Sequence, residues 1–532
     1  MTGSPEFAIV YRYETEGDTR EVRVDAEGMA RPASAVHDLG LRTVRRGETW
    51  RVWVRPSRDL RVMGVRATLR FDLRSYDALY LNGYNSWTDS VERPVFDVMW
   101  GLTRCPRKIV DRYVLDGSGD YRFVPETPLP GRQHGFAYGY LRRGSEVTLF
   151  GSLDEDSGMT LVCEDALRGT IALEKEAPAT PLVVGEKCEL MGFAVLSGEL
   201  RATAARWLSL ADVSPRPARP IVGYTSWYRR YGDIDYEKLA HDLDATAGVL
   251  SEMDLDGADP VFQIDDGYAR VGDWLDYDDV RFPEGLAPLA AQARSRGLLP
   301  GLWLAPFVAE RSSRLFSEHQ SWLARNPDGS LVTTGSNWSG AVALDVRKPA
   351  VRDYVRQVLG TVTREWGFSL LKLDFLYAAC MVPHDGLNRG ELMADALDLV
   401  RDAVPAETRL LLCGVPLASA FGRAEYCRIG CDVGLDWDDK PQMRLLHRER
   451  VSTKNSLANT IGRAHLDGLA FRCDPDVFFL REDTGLTAEQ RERLLSADTT
   501  CGGVLLTSDD MKEWTKDQVS RYRRATAEFC RR

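Results

Sequence analysis

LLKLDFLY, residues 370–377, is a run of branched and aromatic side chains that contains one ammonium and one carboxylate. That content predicts a β-strand. Lys372 and Asp374 stand two positions apart, so in a strand both leave on the same side. An acid and an ammonium directed together out of an apolar strand carry a desolvation penalty that points to use. Seven further apolar runs end in polar clusters: IVGYTSWY, PVFQIDDGY, LLPGLWLAPF, LLLCGVPL, EYCRIGCDV, LDGLAFRCDPD and GGVLLTSDD. Between most of them lie helix-patterned stretches such as YEKLAHDLDATAGVL, GLAPLAAQARSRG and VRDYVRQVLGTVTREWG. Eight such strand–helix units predict a (β/α)8 TIM barrel, whose chemistry gathers at the C-terminal ends of the strands. Those ends carry Asp265 and Asp266, Asp374, Asp432, Asp474 and Asp476, Asp509 and Asp510.

Upstream the pattern differs. Period-two stretches (FAIVYRYE, WRVWVRP, VRATLRFDL, EVTLFGSL, IALEKE) are split by Gly, Asp, Asn and Pro turns, which predicts a large β-sandwich. ADVSPRPARP, residues 211–220, holds three prolines and reads as a linker. The expected organisation is multidomain: an N-terminal β-sandwich over 1–210, the linker over 211–220, and a catalytic barrel over 221–532. A chain of 532 residues exceeds what one compact core holds, in keeping with that division.

The net charge of −11 argues against non-specific binding to nucleic acid or to an anionic membrane, and a neutral sugar suits it. No apolar run reaches the length of a membrane span, and no signal-peptide pattern opens the chain. Ten cysteines form no dense framework and read as reduced thiols in a cytoplasmic protein. CRIGC (Cys427, Cys431) lacks the histidine partners of a zinc site, and no phosphate loop or dinucleotide fingerprint occurs. Neither a metal nor a cofactor is expected. The expected partner is a small oligosaccharide substrate.

Two isolated strand-end carboxylates, each with a cation nearby in sequence, point to glycosidic bond cleavage. That reaction needs two carboxyl groups flanking the scissile bond, one ionised and one protonated at the start. Asp374 suits the nucleophile, with Lys372 on the same strand face to keep it ionised. Asp432, at the end of the sixth strand, suits the acid, and Arg428 is left for substrate hydroxyls. Taken singly, each has a bland alternative: a structural Lys–Asp pair for the first, a helix N-cap for the second. Asp436, Asp438 and Asp439 are rival acids, although their crowding in DWDD suggests a solvated turn. Sugars also stack on aromatic walls. Trp303 and Trp227 are candidates, with barrel packing as the alternative, and Cys413 is placed as a small polarizable wall. Asp265 and Asp266 reach one pocket together only if their strand bends or ends there, and otherwise read as a turn and a helix cap. Trp87, on the Gly- and Asn-rich loop LNGYNSWTDS, is expected to insert into the barrel mouth.

GYTSWYRRYGDID, QIDDGY, GLWLAPF, LLKLDFLY, CGVPL, CRIGCD and DPDVFFLRED, in this order, resemble glycoside hydrolase family 36, the bacterial α-galactosidases of clan D, in its compact form. The resemblance implies retaining hydrolysis of terminal α-galactosides of the raffinose and melibiose type through a covalent glycosyl-aspartate. By motif position Asp374 matches the nucleophile and Asp432 the acid/base, with their carboxyl groups expected about 5 to 5.5 Å apart. Asp265 and Asp266 match the pair that binds O4 and O6 of galactose. Lys372, Arg428, Trp303, Tyr224 and Cys413 match other pocket residues, and Trp87 the tryptophan lent by the sandwich. No cofactor or metal is implied. Relatives in the family act on α-N-acetylgalactosaminides or transfer galactose between sugars, and these stay as alternatives. A non-catalytic sugar-binding protein is a further one, disfavoured because both carboxylates and Lys372 are present. Family members usually carry a C-terminal β-domain; this sequence ends in RYRRATAEFCRR, a helical pattern, so either that domain is absent, as expected here, or the sequence is truncated before it.

Overall fold

The computed structural model describes residues 4–12, 17, 19–25, 30–31, 38–124, 128–437 and 451–532. The rival acids Asp438 and Asp439 lie outside the described residues.

The C-terminal part is built on a nine-stranded sheet. Its strands run, in chain order, Ile221–Thr225, Asp259–Ile264, Leu299–Leu304, Leu370–Leu373, Arg409–Leu412, Tyr426–Arg428, Arg472–Asp474, Val477–Phe478 and Val504–Thr507. The pairings are parallel throughout, and the last strand returns to the first through Ile221↔Val504. Arg472–Asp474 pairs with the sixth strand, while Val477–Phe478 pairs with the last. These two pieces are one strand broken at Pro475 and Asp476. Proline has no N–H to give a ladder, and Asp476 takes a left-handed φ of 94°. Counted so, the nine strands are the eight read from the sequence, and they close a TIM-like barrel. Gly503 N–H donates to Cys473 O at 2.8 Å across the break.

Strands covered on both faces read as continuous apolar runs, as Leu370–Leu373 shows with every residue buried. The helix Tyr236–Leu250 begins where Asp235 accepts from Lys238 N–H, and it buries Leu239, Leu243 and Leu250 against the barrel. Between the third and fourth barrel strands the chain adds a three-stranded sheet (Val308–Glu310, Thr333–Gly335, Ala341–Ala343) that the sequence reading did not anticipate. The segment 211–220 is laid against the barrel: Arg216 pairs with Glu425 at 2.6 Å, and Arg219 O accepts from Tyr426 OH at 2.7 Å.

The N-terminal part holds two seven-stranded sheets with antiparallel neighbours. Alternation decides which residues face inward. Thr49–Val54 buries Trp50, Val52 and Val54 and turns the residues between them outward. Phe7, Ile9, Val65 and Leu69 of one sheet share a core with Trp50, Val52, Phe150 and Phe193 of the other, and Trp50 stacks on Phe193 at 5.4 Å. A second core runs without interruption from Tyr80, Tyr84, Tyr138 and Trp207 into the barrel. Among the described residues no helix is long and apolar enough to cross a membrane. All ten cysteines are free.

Candidate active site

The second barrel strand stops at Ile264, so Asp265 and Asp266 both lie beyond its regular alternation. Asp265 is saturated. Its Oδ2 accepts from Lys372 Nζ at 2.8 Å, Gln263 Nε2 at 2.8 Å and Thr225 Oγ1 at 3.3 Å, and its Oδ1 accepts from Asp266 N–H at 3.0 Å. Ser226 Oγ further accepts from Asp265 N–H at 2.9 Å. Asp266 accepts from Trp338 Nε1 at 2.7 Å, and burial pushes its carboxyl up to about 7, with Asp265 adding repulsion. Lys372 moves the other way from a simple buried amine: burial would lower it, but Asp265 lifts it.

Asp374 follows the fourth strand directly and is buried. Its Oδ2 accepts from Trp303 Nε1 at 3.1 Å and its Oδ1 from Phe375 N–H at 2.8 Å. Phe375 has φ 54°, an uncommon conformation for an aromatic residue, and it turns the chain sharply behind the carboxylate. Burial pushes the Asp374 carboxyl up. The charge of Lys372 and the Trp303 and Phe375 donors oppose that push, and the charge of Asp432 adds to it.

Arg428, at the end of the sixth strand, is buried and holds three carboxylates at once. Nη1 donates to Asp432 Oδ1 at 2.9 Å, Nε to Asp474 Oδ2 at 3.1 Å, and Nη2 to Asp476 Oδ1 at 2.9 Å. Asp432 is the half-exposed member, with 47% of its side chain accessible against 3% for Asp474. Asp476 also accepts from Tyr228 OH and from Val433 N–H. Burial pushes its carboxyl up to about 7 against the pull of Arg428.

The N-terminal loop closes the side of the site. Trp87 Nε1 donates to Cys413 Sγ at 3.2 Å, and its ring meets Phe375 edge-on at 5.1 Å and Tyr377 at 5.6 Å. Gly414 makes this approach possible. A Cβ there would fall 2.7 Å from the Trp87 ring and 2.9 Å from Phe375 N, at a φ of 54° that already favours glycine.

The melibiase family model matches residues 210–389. Alpha-galactosidase 2 of Pediococcus pentosaceus is 30% identical over 119 residues, 21% of this chain and 16% of that relative. The Escherichia coli alpha-galactosidase is 26% identical over 156 residues, 27% of this chain and 21% of the relative. The Thermus thermophilus alpha-galactosidase TtGalA, solved with p-nitrophenyl alpha-D-galactopyranoside, superposes with a TM-score of 0.73 at 27% identity over 96% of this chain and 92% of that one. Over residues 210–389 the chain is thus similar to the melibiase family, and over nearly its whole length to a solved alpha-galactosidase. Its matches to these curated relatives span 16% and 21% of their length. The Geobacillus stearothermophilus GH36 enzyme AgaA, at 15% identity and a TM-score of 0.61, shares the fold.

Asp265, Asp266, Lys372, Asp374, Trp303, Arg428, Asp432, Cys413 and Trp87 come together at one end of the barrel. Tyr224 does not. Alternation along the first strand turns it outward, where it stacks on Phe262 at 5.3 Å and donates to Asp242 on the helix layer at 2.7 Å. Its neighbour Thr225 takes the inward position. Lys372 is committed to Asp265, so its hydrogen bond goes there and its effect on Asp374 is through space. Arg428 has carboxylate partners on all three nitrogens, which makes it a holder of Asp432 more than a free hydroxyl donor. Trp303 is 3% exposed and braces Asp374 in place of forming an open platform. Trp227 is half-buried, edge-on to Tyr231 at 5.3 Å. The sequence reading missed Trp338, Tyr228, Gln263 and Ser226. Trp338 had a signal, since GSNWSG repeats the small-polar setting of NGYNSW; Ser226 and Tyr228 lie within GYTSWYRRYGDID and Gln263 within QIDDGY, where only motif membership marked them. Among the described residues His241, Asp242 and Asp510 have possible metal-ligating atoms within 4.8 Å of one another. They are already engaged, Asp242 by Arg230 and Tyr224 and His241 by Asp510.

Proposed function

We propose that the chain is a retaining exo-α-galactosidase, with Asp374 as nucleophile and Asp432 as acid/base. One observation carries this reading: Asp374, after the fourth strand, and Asp432, after the sixth, stand at the same end of the barrel, the first buried on the Trp303 and Phe375 donors and the second half-exposed on Arg428. A retaining glycosidase starts with one such carboxyl ionised and its partner protonated. Asp374 then attacks the anomeric carbon while Asp432 gives its proton to the leaving oxygen. In the second half Asp432 takes a proton from water, whose oxygen displaces Asp374 from the sugar.

The two acids are held in ways that suit these roles. Asp374 is fixed by two neutral N–H donors in a buried setting, which leaves a localised charge with little hydration. Asp432 is half-exposed, where a leaving group and then a water have to reach it. The aspartate pair and Lys372 form a polar floor for the galactose hydroxyls, and Trp87, Trp338 and Phe375 form its apolar wall. In this reading the two N-terminal sheets are a β-sandwich over 1–210 that lends Trp87 to a barrel over 221–532, joined by 211–220. TtGalA has also been solved with stachyose, at 26% identity over 98% of that chain, which supports terminal α-galactosides of oligosaccharides as substrates.

The test is hydrolysis of p-nitrophenyl α-galactoside beside its 2-acetamido analogue. Release of nitrophenol from the galactoside at a kcat/KM at least about tenfold higher is expected. Preference for the acetamido substrate by the same margin would overturn the galactose assignment.

A further inference from the structure

Arg463 ends the helix Thr453–Arg463 and is fully buried, yet it has no carboxylate partner among the described residues. All five of its N–H donors are used. Nε and Nη2 both donate to Asn82 Oδ1, at 3.2 and 3.0 Å, and Nη2 also donates to Asn85 O at 3.2 Å. Nη1 donates to Ser86 O at 2.6 Å and to Ile429 O at 2.9 Å. Four of the five bonds therefore end on residues 82–86, the loop that carries Trp87. The fifth ends on Ile429, one residue beyond Arg428. A buried cation served only by neutral acceptors is unfavourable on its own, and only a guanidinium offers five N–H groups in a fixed fork. The same helix touches the loop twice more. Asn459 Oδ1 accepts from Ser90 N–H at 2.7 Å, and Gly462 lies so close that a Cβ would fall 2.1 Å from Ser90 O.

We infer that Arg463 is a positioning residue that sets the Trp87 wall against the sugar site, by fastening the N-terminal loop to the sixth barrel strand. This rests on the reading of Trp87 as part of that site. The strand is held independently by ladder pairing on both sides and by Ile429 N–H to Asp474 O at 3.0 Å. Loosening the clamp therefore moves the loop, and Trp87 with it, more than it moves Asp432. The consequence is a defect in binding with the chemical step kept.

The experiment is a double-mutant cycle on the full chain with p-nitrophenyl α-galactoside. Trp87→Ala is expected to raise KM about tenfold with kcat nearly kept, as loss of uniform binding requires. Arg463→Lys is expected to raise KM severalfold in the parent, and to change it no further in the Trp87→Ala background. Asn82→Ala removes the acceptor of two of the five bonds. It is read the same way, so the coupling stays measurable if Arg463→Lys does not fold. Folded clamp variants with parental KM, or effects that multiply with that of Trp87→Ala, overturn the inference while leaving the Trp87 reading intact. A parental KM for Trp87→Ala overturns both.

Discussion

The floor of the site and its far wall are built from the same residue types and behave differently. On the floor one cation, Lys372, is bonded to one carboxylate, Asp265, which three further donors also satisfy, and Asp374 is left to neutral N–H groups. On the wall one cation, Arg428, is divided among Asp432, Asp474 and Asp476. A lysine ammonium is a compact point charge, whereas a guanidinium offers a fork of donors, so the first makes a closed pair and the second a hub. The closed pair gives a rigid surface beside a buried acid. The hub fixes the direction of Asp432 while leaving the carboxyl half-exposed. An acid that receives a leaving group needs that access, and one that attacks a carbon from beneath needs rigidity.

The largest effect should come from the floor. Asp374→Asn is expected to lower kcat by at least about 10³-fold with binding of galactose nearly unchanged, because in the proposed mechanism it forms the covalent bond. Parental turnover in steady-state assays would remove the division of roles. On the wall, Asp432→Ala should lower kcat by about 10²–10⁴-fold on stachyose, and less on the nitrophenyl substrate, whose leaving group hardly needs a proton. Equal losses on both substrates would show that Asp432 does not protonate the leaving oxygen. Lys372→Met should then separate pair from hub: it leaves Asp265 buried without its counter-ion and is expected to lose ~3–5 kcal/mol in urea unfolding. A loss under ~1 kcal/mol would show that the other donors suffice.

The smallest effect is a slope in pH. Asp266 is raised to about 7 in the folded chain, against a value near 4 when unfolded. Between those values the folded chain holds a proton that the unfolded chain has released. Its contribution is therefore full below about pH 4 and is lost as pH rises towards 7. Asp266→Asn should flatten that part of the stability profile, leaving the similar contribution of Asp476. An unchanged profile would place the titration elsewhere.

Much of the barrel was legible because fully covered parallel strands are short apolar runs, and each of the eight runs read from the sequence overlaps a barrel strand. The break in the seventh could be suspected only from Pro475. Asp374, Asp432 and the aspartate pair stood out as charges at apolar strand ends. What the sequence could not give was which partner each charge takes. Lys372 is two residues from Asp374 yet bonds Asp265, 107 positions away. Tyr224 was misplaced because a motif match carries no information on strand face, whereas alternation from Thr225 would have turned it outward. Trp338 arrives from the inserted sheet, whose short strands leave little periodic signal. Nothing in the sequence marks Arg463, and its five hydrogen bonds become visible only when the loop and the sixth strand are brought together.

The most direct measurement uses Asp432→Ala with p-nitrophenyl α-galactoside. Without the general base, hydrolysis of the glycosyl-enzyme slows more than its formation. A burst of nitrophenol is predicted, with one galactosyl unit added to the protein and mapped by peptide mass spectrometry to Asp374. A burst-free reaction without adduct, or a galactosyl group on any other residue, would contradict the assignment of Asp374 and Asp432 to opposite sides of one anomeric carbon.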